Sequence, residues 1–477
     1  MLGRFLLLSA DNGDPVGFVF YAQRQSTQTP ANPLWPYVDG DGNVYFAAGA
    51  SSTYDGYQII KFDSTGTVQW TANVENYGAD PLINTRNYVS NGEYTYPFIV
   101  GADSSGDLYL ATFANSTYAS QYRLVVTKMS SSDGSLGYSK VYADTARTET
   151  EPIPMANMSL INSSGNFHIV GRYLSSVYGK LIQASTSDGT VQWVQDFGVY
   201  QAPTCLALDS SDNIYAGVNY REATVGERCG VAKFNSSGDR QWTKQYSWYS
   251  GGTTNNLDEI LTYIAHDSVN GALYITTLVK TSVSGIIVYV NYLMKIDPSN
   301  GDLLWTKKLT GISDNYAEVV GLAVDSAGYP YVGFGYGSSA VGAIDILKLN
   351  SSGVLQDSMR VSFSGTTPDV SFIKMYMSGN DQIYLSGRED SSDLSVWLLS
   401  IPSSLNINGS NIHITSYADY VSFGTTTSTA SSSTHYAYTS AFDQGFGTST
   451  ASGSITTADV TGYPTADNTM TLSYTEV

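Results

Sequence analysis

Basic side chains are scarce in this chain: 23 Lys and Arg stand against 42 Asp and Glu, for a formal net charge of −19. A field of that sign repels phosphate backbones and anionic bilayers, which argues against nucleic acid as a partner and against peripheral membrane binding, and no nucleic-acid partner is expected. Cysteine is nearly absent, with two in 477 residues, too few for a disulfide scaffold. Cys205 and Cys229 fall in the first and third strands of one repeat, so the strand between them holds them about 9–10 Å apart. That is too far for an unstrained bridge, and free thiols are expected. The four histidines, His168, His266, His413 and His435, stand singly, with no two at metal-ligand spacing. No apolar run approaches the ~20 residues of a spanning helix, and no membrane insertion is expected. Residues 5–8 are too short a core for a secretory signal, with only Arg4 before them, which predicts synthesis in a cytoplasm. No His-Glu-x-x-His, Gly-x-Ser-x-Gly or Walker lysine pattern is present, so no catalytic, cofactor-binding or metal residue is assigned.

What the chain does have is 37 Tyr, 45 Gly, abundant Ser and Thr, and a repeated phrase. Residues 61–70 read Lys61, Phe62, Asp63, Ser64, Thr65, Gly66, Thr67, Val68, Gln69, Trp70: a strand, an Asp-to-Gly turn, and a strand carrying Trp. The phrase returns from Lys233 to Trp242 and from Lys295 to Trp305, with looser copies from Lys128 to Tyr138, Gln183 to Trp193 and Lys348 to Gln356. A seventh copy, at residues 396–401, keeps the apolar strand and loses the turn. A second phrase precedes each copy, a polar turn followed by alternation around Tyr45, Tyr109, His168, Tyr215, Tyr274, Tyr331 and Tyr384. One further apolar run opens each unit, giving about four short strands per repeat. Seven such repeats predict an all-β, seven-bladed β-propeller.

The Asp-to-Gly turn followed by Trp resembles the quinoprotein-like (PQQ-like) propeller repeat, in which the Trp packs between blades. The resemblance covers roughly residues 32–404. Quinoprotein dehydrogenases of that family carry eight blades, paired neighbouring cysteines and a calcium-bound quinone. With seven repeats here and Cys205 far from Cys229, no cofactor is expected.

Three regions follow: an N-terminal β-arm at 1–32, the propeller at 33–404 and a Ser/Thr-rich β extension at 405–477. The arm reads as two strands around the turn at 11–15, able either to close the propeller or to reach a neighbouring subunit. Between repeats lie Tyr-, Asn- and Gly-rich loops such as 77–96 and 246–257, placed where partners usually make contact. The extension contains no Lys or Arg, and alternation at 435–438 and 470–474 suggests strands docked on the propeller itself or on other subunits.

Residues 39–43, Asp-Gly-Asp-Gly-Asn, look like the opening of a calcium loop, yet other repeats place Asx side chains in the same position, which suits plain turn chemistry. His168 takes the place of the repeat tyrosine, and a core role is expected for it. The sequons at Asn115, Asn157, Asn162, Asn235, Asn350 and Asn408 are read as turn residues, and the pairs Asp258 with Glu259 and Glu149 with Glu151 as solvated loop charge. The sequence is thus read as a non-enzymatic structural or interaction protein, a virion component of the tail or fibre region of a tailed phage, mediating assembly or host-surface contact. In composition it resembles tailed-phage structural proteins. Its expected partners are other virion or assembly proteins through both termini, and host-surface glycans. The alternatives are an extracellular or cell-surface adhesin or lectin binding glycans through the Tyr-rich loops, and an enzyme of quinoprotein or glycosidase type.

Overall fold

The computed structural model describes residues 2–7, 18–23, 36–49, 56–64, 67–75, 98–116, 121–144, 159–173, 178–197, 201–222, 226–247, 258–283, 286–310, 317–338, 341–363, 374–388, 396–405, 412–413, 420–424, 429–432, 438–440 and 455–459. They form seven antiparallel sheets, the blades of a β-propeller. Blade one runs outward through Tyr37–Val38, Val44–Gly49, Gly56–Phe62 and Val68–Glu75. Blade two follows with Phe98–Ala102, Leu108–Ser116, Gln121–Met129 and Leu136–Asp144, and blade three with Ser159–Ile161, Asn166–Tyr173, Tyr178–Ser185 and Val191–Asp196. Blade four comprises Gln201–Leu208, Ile214–Glu222, Gly226–Phe234 and Arg240–Ser247, and blade five Asp258–Asp267, Ala272–Val283, Ile286–Ile296 and Leu303–Thr310. Blade six is built from Ala317–Val324, Pro330–Ser338, Val341–Leu349 and Leu355–Phe363. The first strands of successive blades touch one another and form the inner ring.

A middle strand of a blade is covered on both faces by neighbouring blades, so its residues are apolar on both sides of the pleat. Leu108, Tyr109, Leu110 and Ala111 are consecutive and all fully buried. The repeated phrases position this packing. In the first turn of blade one, one oxygen of Asp39 accepts from the backbone N–H of Asp41 (3.0 Å) and Asn43 (2.9 Å), and the other from the Asn43 amide (2.8 Å) and the Tyr45 hydroxyl (3.0 Å). Asp103, Asp209 and Asp325 accept the hydroxyls of Tyr109, Tyr215 and Tyr331 in the same way.

The lysine and Trp of the other phrase join blades. Lys61 Nζ and Trp70 Nε1 both donate to the Ser131 carbonyl of blade two at 2.9 Å. Lys233 and Trp242 share the Pro298 carbonyl of blade five, and Lys295 and Trp305 the Ser351 carbonyl of blade six. Trp193 donates to Ser236 of blade four at 3.2 Å and lies against Gly238, whose φ of +84° no L side chain adopts cheaply. In blade six the residue opposite Lys348, at the Trp position, is Asp357 rather than Gln356, the same nine-residue offset that separates Lys61 from Trp70 and Lys233 from Trp242.

Blade seven explains the copy that lost its turn. Its own strands are only Lys374–Met377, Gln382–Arg388 and Val396–Pro402. The fourth is Phe18–Gln23 from the N-terminal arm, and Leu2–Leu7 adds a fifth. Of the two roles open to the arm, ring closure is the one the pairing adopts. No hairpin follows residues 396–402 because their outer neighbour comes from the other end of the chain.

The C-terminal extension also returns to its own propeller. Tyr420–Gly424 pairs with the outer strand of blade six, Thr429–Ser432 with blade five, Tyr438–Ser440 with blade four and Ile455–Asp459 with blade two. Residues 470–474 lie outside the described residues. Cys205 and Cys229 sit in the first and third strands of blade four, both buried and both free.

Candidate functional site

The inner strands of all seven blades converge on a cavity of about 350 Å3. Its wall is mostly aliphatic, with Ile99, Leu206, Ile264, Leu322 and Met375 nearly fully buried around it. Short apolar residues suit an inner strand, where seven backbones approach the axis and space narrows. Three phenols interrupt the wall, from Tyr37, Tyr263 and Tyr376. Lys374 is the one charged residue among those described as lining the cavity. Its ammonium donates to the Tyr263 hydroxyl at 3.2 Å and lies 5.8 Å from the centre of that ring.

The phenols lie at two levels. Tyr37 and Tyr376 stand two residues before the first turns of blades one and seven, and Tyr376 donates to the Val38 carbonyl at 3.3 Å. Lys374 and Tyr263 stand four residues before their turns, deeper along the channel. Burial, and for Tyr37 also the Asp39 carboxylate, holds the Tyr37 and Tyr376 hydroxyls above the ordinary phenol range, so both remain proton donors at neutral pH. A lysine, phenols and an aliphatic wall can bind an anion through the first, hydroxyls through the second and a ring face through the third.

The residues weighed from sequence lie elsewhere. His168 is fully buried in blade three, bonded to Gln183 at 3.0 Å, and burial pushes its imidazole down to about 4, which is the expected core role. His266 stacks on Tyr215 at 5.9 Å between ring centres. Asp39 is engaged by four donors of its own turn, the chemistry of an Asx residue. Asn162, Asn235 and Asn350 occupy turns, as read. Asp258 and Glu259 open the inner strand of blade five, and their side chains lie outside the described residues, as do Glu149, Glu151 and the loop 77–96. His413 lies in a short strand on the blade-six side, and His435 is outside the described residues. Sequence reading missed the channel residues because each is a single residue in an unremarkable inner strand.

No family model matches this chain, and no curated protein matches it. Solved structures do. The chain is similar to polysaccharide lyase Uly1, at 9% identity over 83% of this chain and 94% of that one, with a TM-score of 0.49. It is similar to oligogalacturonate lyase in complex with manganese, at 10% identity over 84% and 99%, with a TM-score of 0.42. The β-propeller domain of the Trilobed protease from Pyrococcus furiosus matches at 10% identity over 78% and 94%, with a TM-score of 0.42. These likenesses concern the fold alone. They correct one expectation: the protein was read as not an enzyme, yet proteins of the same architecture here are named as lyases, so a propeller without a familiar catalytic motif is no ground for that exclusion.

Proposed function

We propose that the channel is a binding site for a small acidic ring compound of the sugar-acid class, held by Lys374 through its carboxylate. The observation that carries this reading is the lysine itself: the one charged residue in the described lining of an aliphatic and phenolic cavity, within a chain of net charge −19. In a protein so acidic, a cation facing a low-dielectric cavity favours an anion there over a neutral ligand. The tyrosine faces complement the C–H faces of a pyranose, and their hydroxyls complement its hydroxyls. A volume of about 350 Å3 falls at the low end of the roughly 300–1,000 Å3 typical of small-ligand clefts.

The Lys374–Tyr263 contact also favours a catalytic reading of the same site. A phenol beside an ammonium is placed to exchange a proton with a bound ligand while the lysine offsets the carboxylate charge. The test is calorimetric titration with galacturonate, glucuronate and their oligomers, with formation of unsaturated uronate ends followed in parallel. Binding of the acids but not of the neutral sugars, lost at least tenfold in Lys374→Met, is expected. Equal binding of neutral and acidic sugars, or acid binding unchanged in Lys374→Met, overturns the reading.

A further inference from the structure

Among the described residues, the strands added along the propeller rim leave a gap in a regular pattern. The strands of the C-terminal extension add to blades six, five, four and two in that order, and in the same register each time. The fourth residue after the Trp position of the outer strand meets the extension at Val361 with Phe423, Leu309 with Ala430, Tyr246 with Thr439 and Tyr142 with Thr457. Moving by one blade takes seven residues (423 to 430) and then nine (430 to 439). Moving from blade four to blade two takes eighteen (439 to 457), twice a single step. Blade three lies between them, and its outer strand Val191–Asp196 has no further neighbour among the described residues.

A second observation comes from the residues in that interval. Residues 427–431 read Thr-Ser-Thr-Ala-Ser, and residues 448–452 read Thr-Ser-Thr-Ala-Ser again. In the first copy, Thr429, Ala430 and Ser431 pair with the edge of blade five. The composition suits such pairing, which rests on backbone hydrogen bonds and asks little of the side chains. A bare outer edge presents a row of unpaired N–H and C=O groups, and an added strand satisfies them.

We infer that the outer edge of Val191–Asp196 is a strand-accepting site and that its occupant is residues 445–452 of the same chain, added antiparallel. Blades six to two then share one continuous belt. The test uses Asp196→Cys combined in turn with a cysteine at each position from 445 to 452, under mild oxidation of the full chain. Val141→Cys with Ala458→Cys, a pair already in register, is the positive control. Cys205 and Cys229 are buried and do not compete. An intramolecular bridge at one or two adjacent positions, to the extent of the control, is expected. Bridging of the control with none across 445–452, or bridges only between molecules, overturns the inference. Hydrogen exchange gives a second measurement: Thr448→Pro with Thr450→Pro removes two donors, and amides of residues 191–196 should then exchange about tenfold faster while those of 240–247 keep their rates. Unchanged exchange at 191–196 overturns it equally.

Discussion

Replacing Gly238 by alanine tests the contact on which the inter-blade packing rests. The residue holds φ at +84°, and an added methyl carbon would lie 2.7 Å from the Trp193 ring of the preceding blade. The backbone term for an L residue in that region is about 1–2 kcal/mol. Forcing a methyl into a packed ring adds about 1–3 kcal/mol, so Gly238→Ala should destabilise by about 2–5 kcal/mol. Gly271→Ala separates the two terms, because its φ is +57° and nothing lies within 4 Å of the added carbon; it should cost only the backbone term. The assay is urea unfolding of both variants, compared at equal slope. A double-mutant cycle sharpens it: in a Trp193→Ala background the steric term disappears, and Gly238→Ala should cost no more than Gly271→Ala. Equal losses for Gly238→Ala and Gly271→Ala in the native background would refute the idea that Trp193 presses on the neighbouring turn.

Further outcomes are expected. His168 is buried neutral with its imidazole pushed down to about 4, so the unfolded chain binds the proton first, between pH about 6.5 and 4. Stability from this group is therefore complete above pH 6.5 and lost as pH falls to 4, by about 3 kcal/mol; His168→Gln should flatten that slope, leaving the smaller contribution of His266, which burial shifts the same way. Arg360 holds the fully buried Asp345 through two hydrogen bonds of 2.6 Å, so Arg360→Met should cost about 3–5 kcal/mol in urea unfolding, and Arg360→Met with Asp345→Leu markedly less. Burial pushes the Cys205 thiol up to about 12, and Cys229 is equally inaccessible, so an aqueous thiol reagent should label neither until the protein is denatured, and then both.

The blades were legible because most copies share the same local chemistry. An Asx residue closes the first turn in blades one to six, a glycine takes positive φ in the hairpins of blades two to six, and a Trp reaches the next carbonyl from blades one, three, four and five, so these residues recur at matching offsets. Blade three was read correctly even where Asn162, His168 and Gln183 replace the usual Asp, Tyr and Lys, because Asn162 still closes its turn by accepting from the Asn166 N–H and His168 still bonds Gln183 across the strands. The fourth strand of blade seven was left open between ring closure and a neighbouring subunit, since Val19 pairs with Leu399 and no local pattern records a partner so distant in sequence. The extension was expected to dock, but its Ser/Thr-rich strands show little apolar alternation, so their blades and registers were out of reach. The channel left the least trace. Its character comes from Lys374 and Tyr263, 111 residues apart, which only ring closure brings within hydrogen-bonding distance.

The pairing of Phe18–Gln23 with Val396–Pro402 makes a strand of the N-terminal arm and a strand of the seventh blade hydrogen-bonded neighbours. On the ribosome, the early one emerges long before its complement exists. Blades one to six can stack as they are translated, while that segment waits without its ladder and the circle stands ajar. Concerted resistance to unfolding is thus conferred late, when Val396 and its successors leave the exit tunnel and the seam is joined.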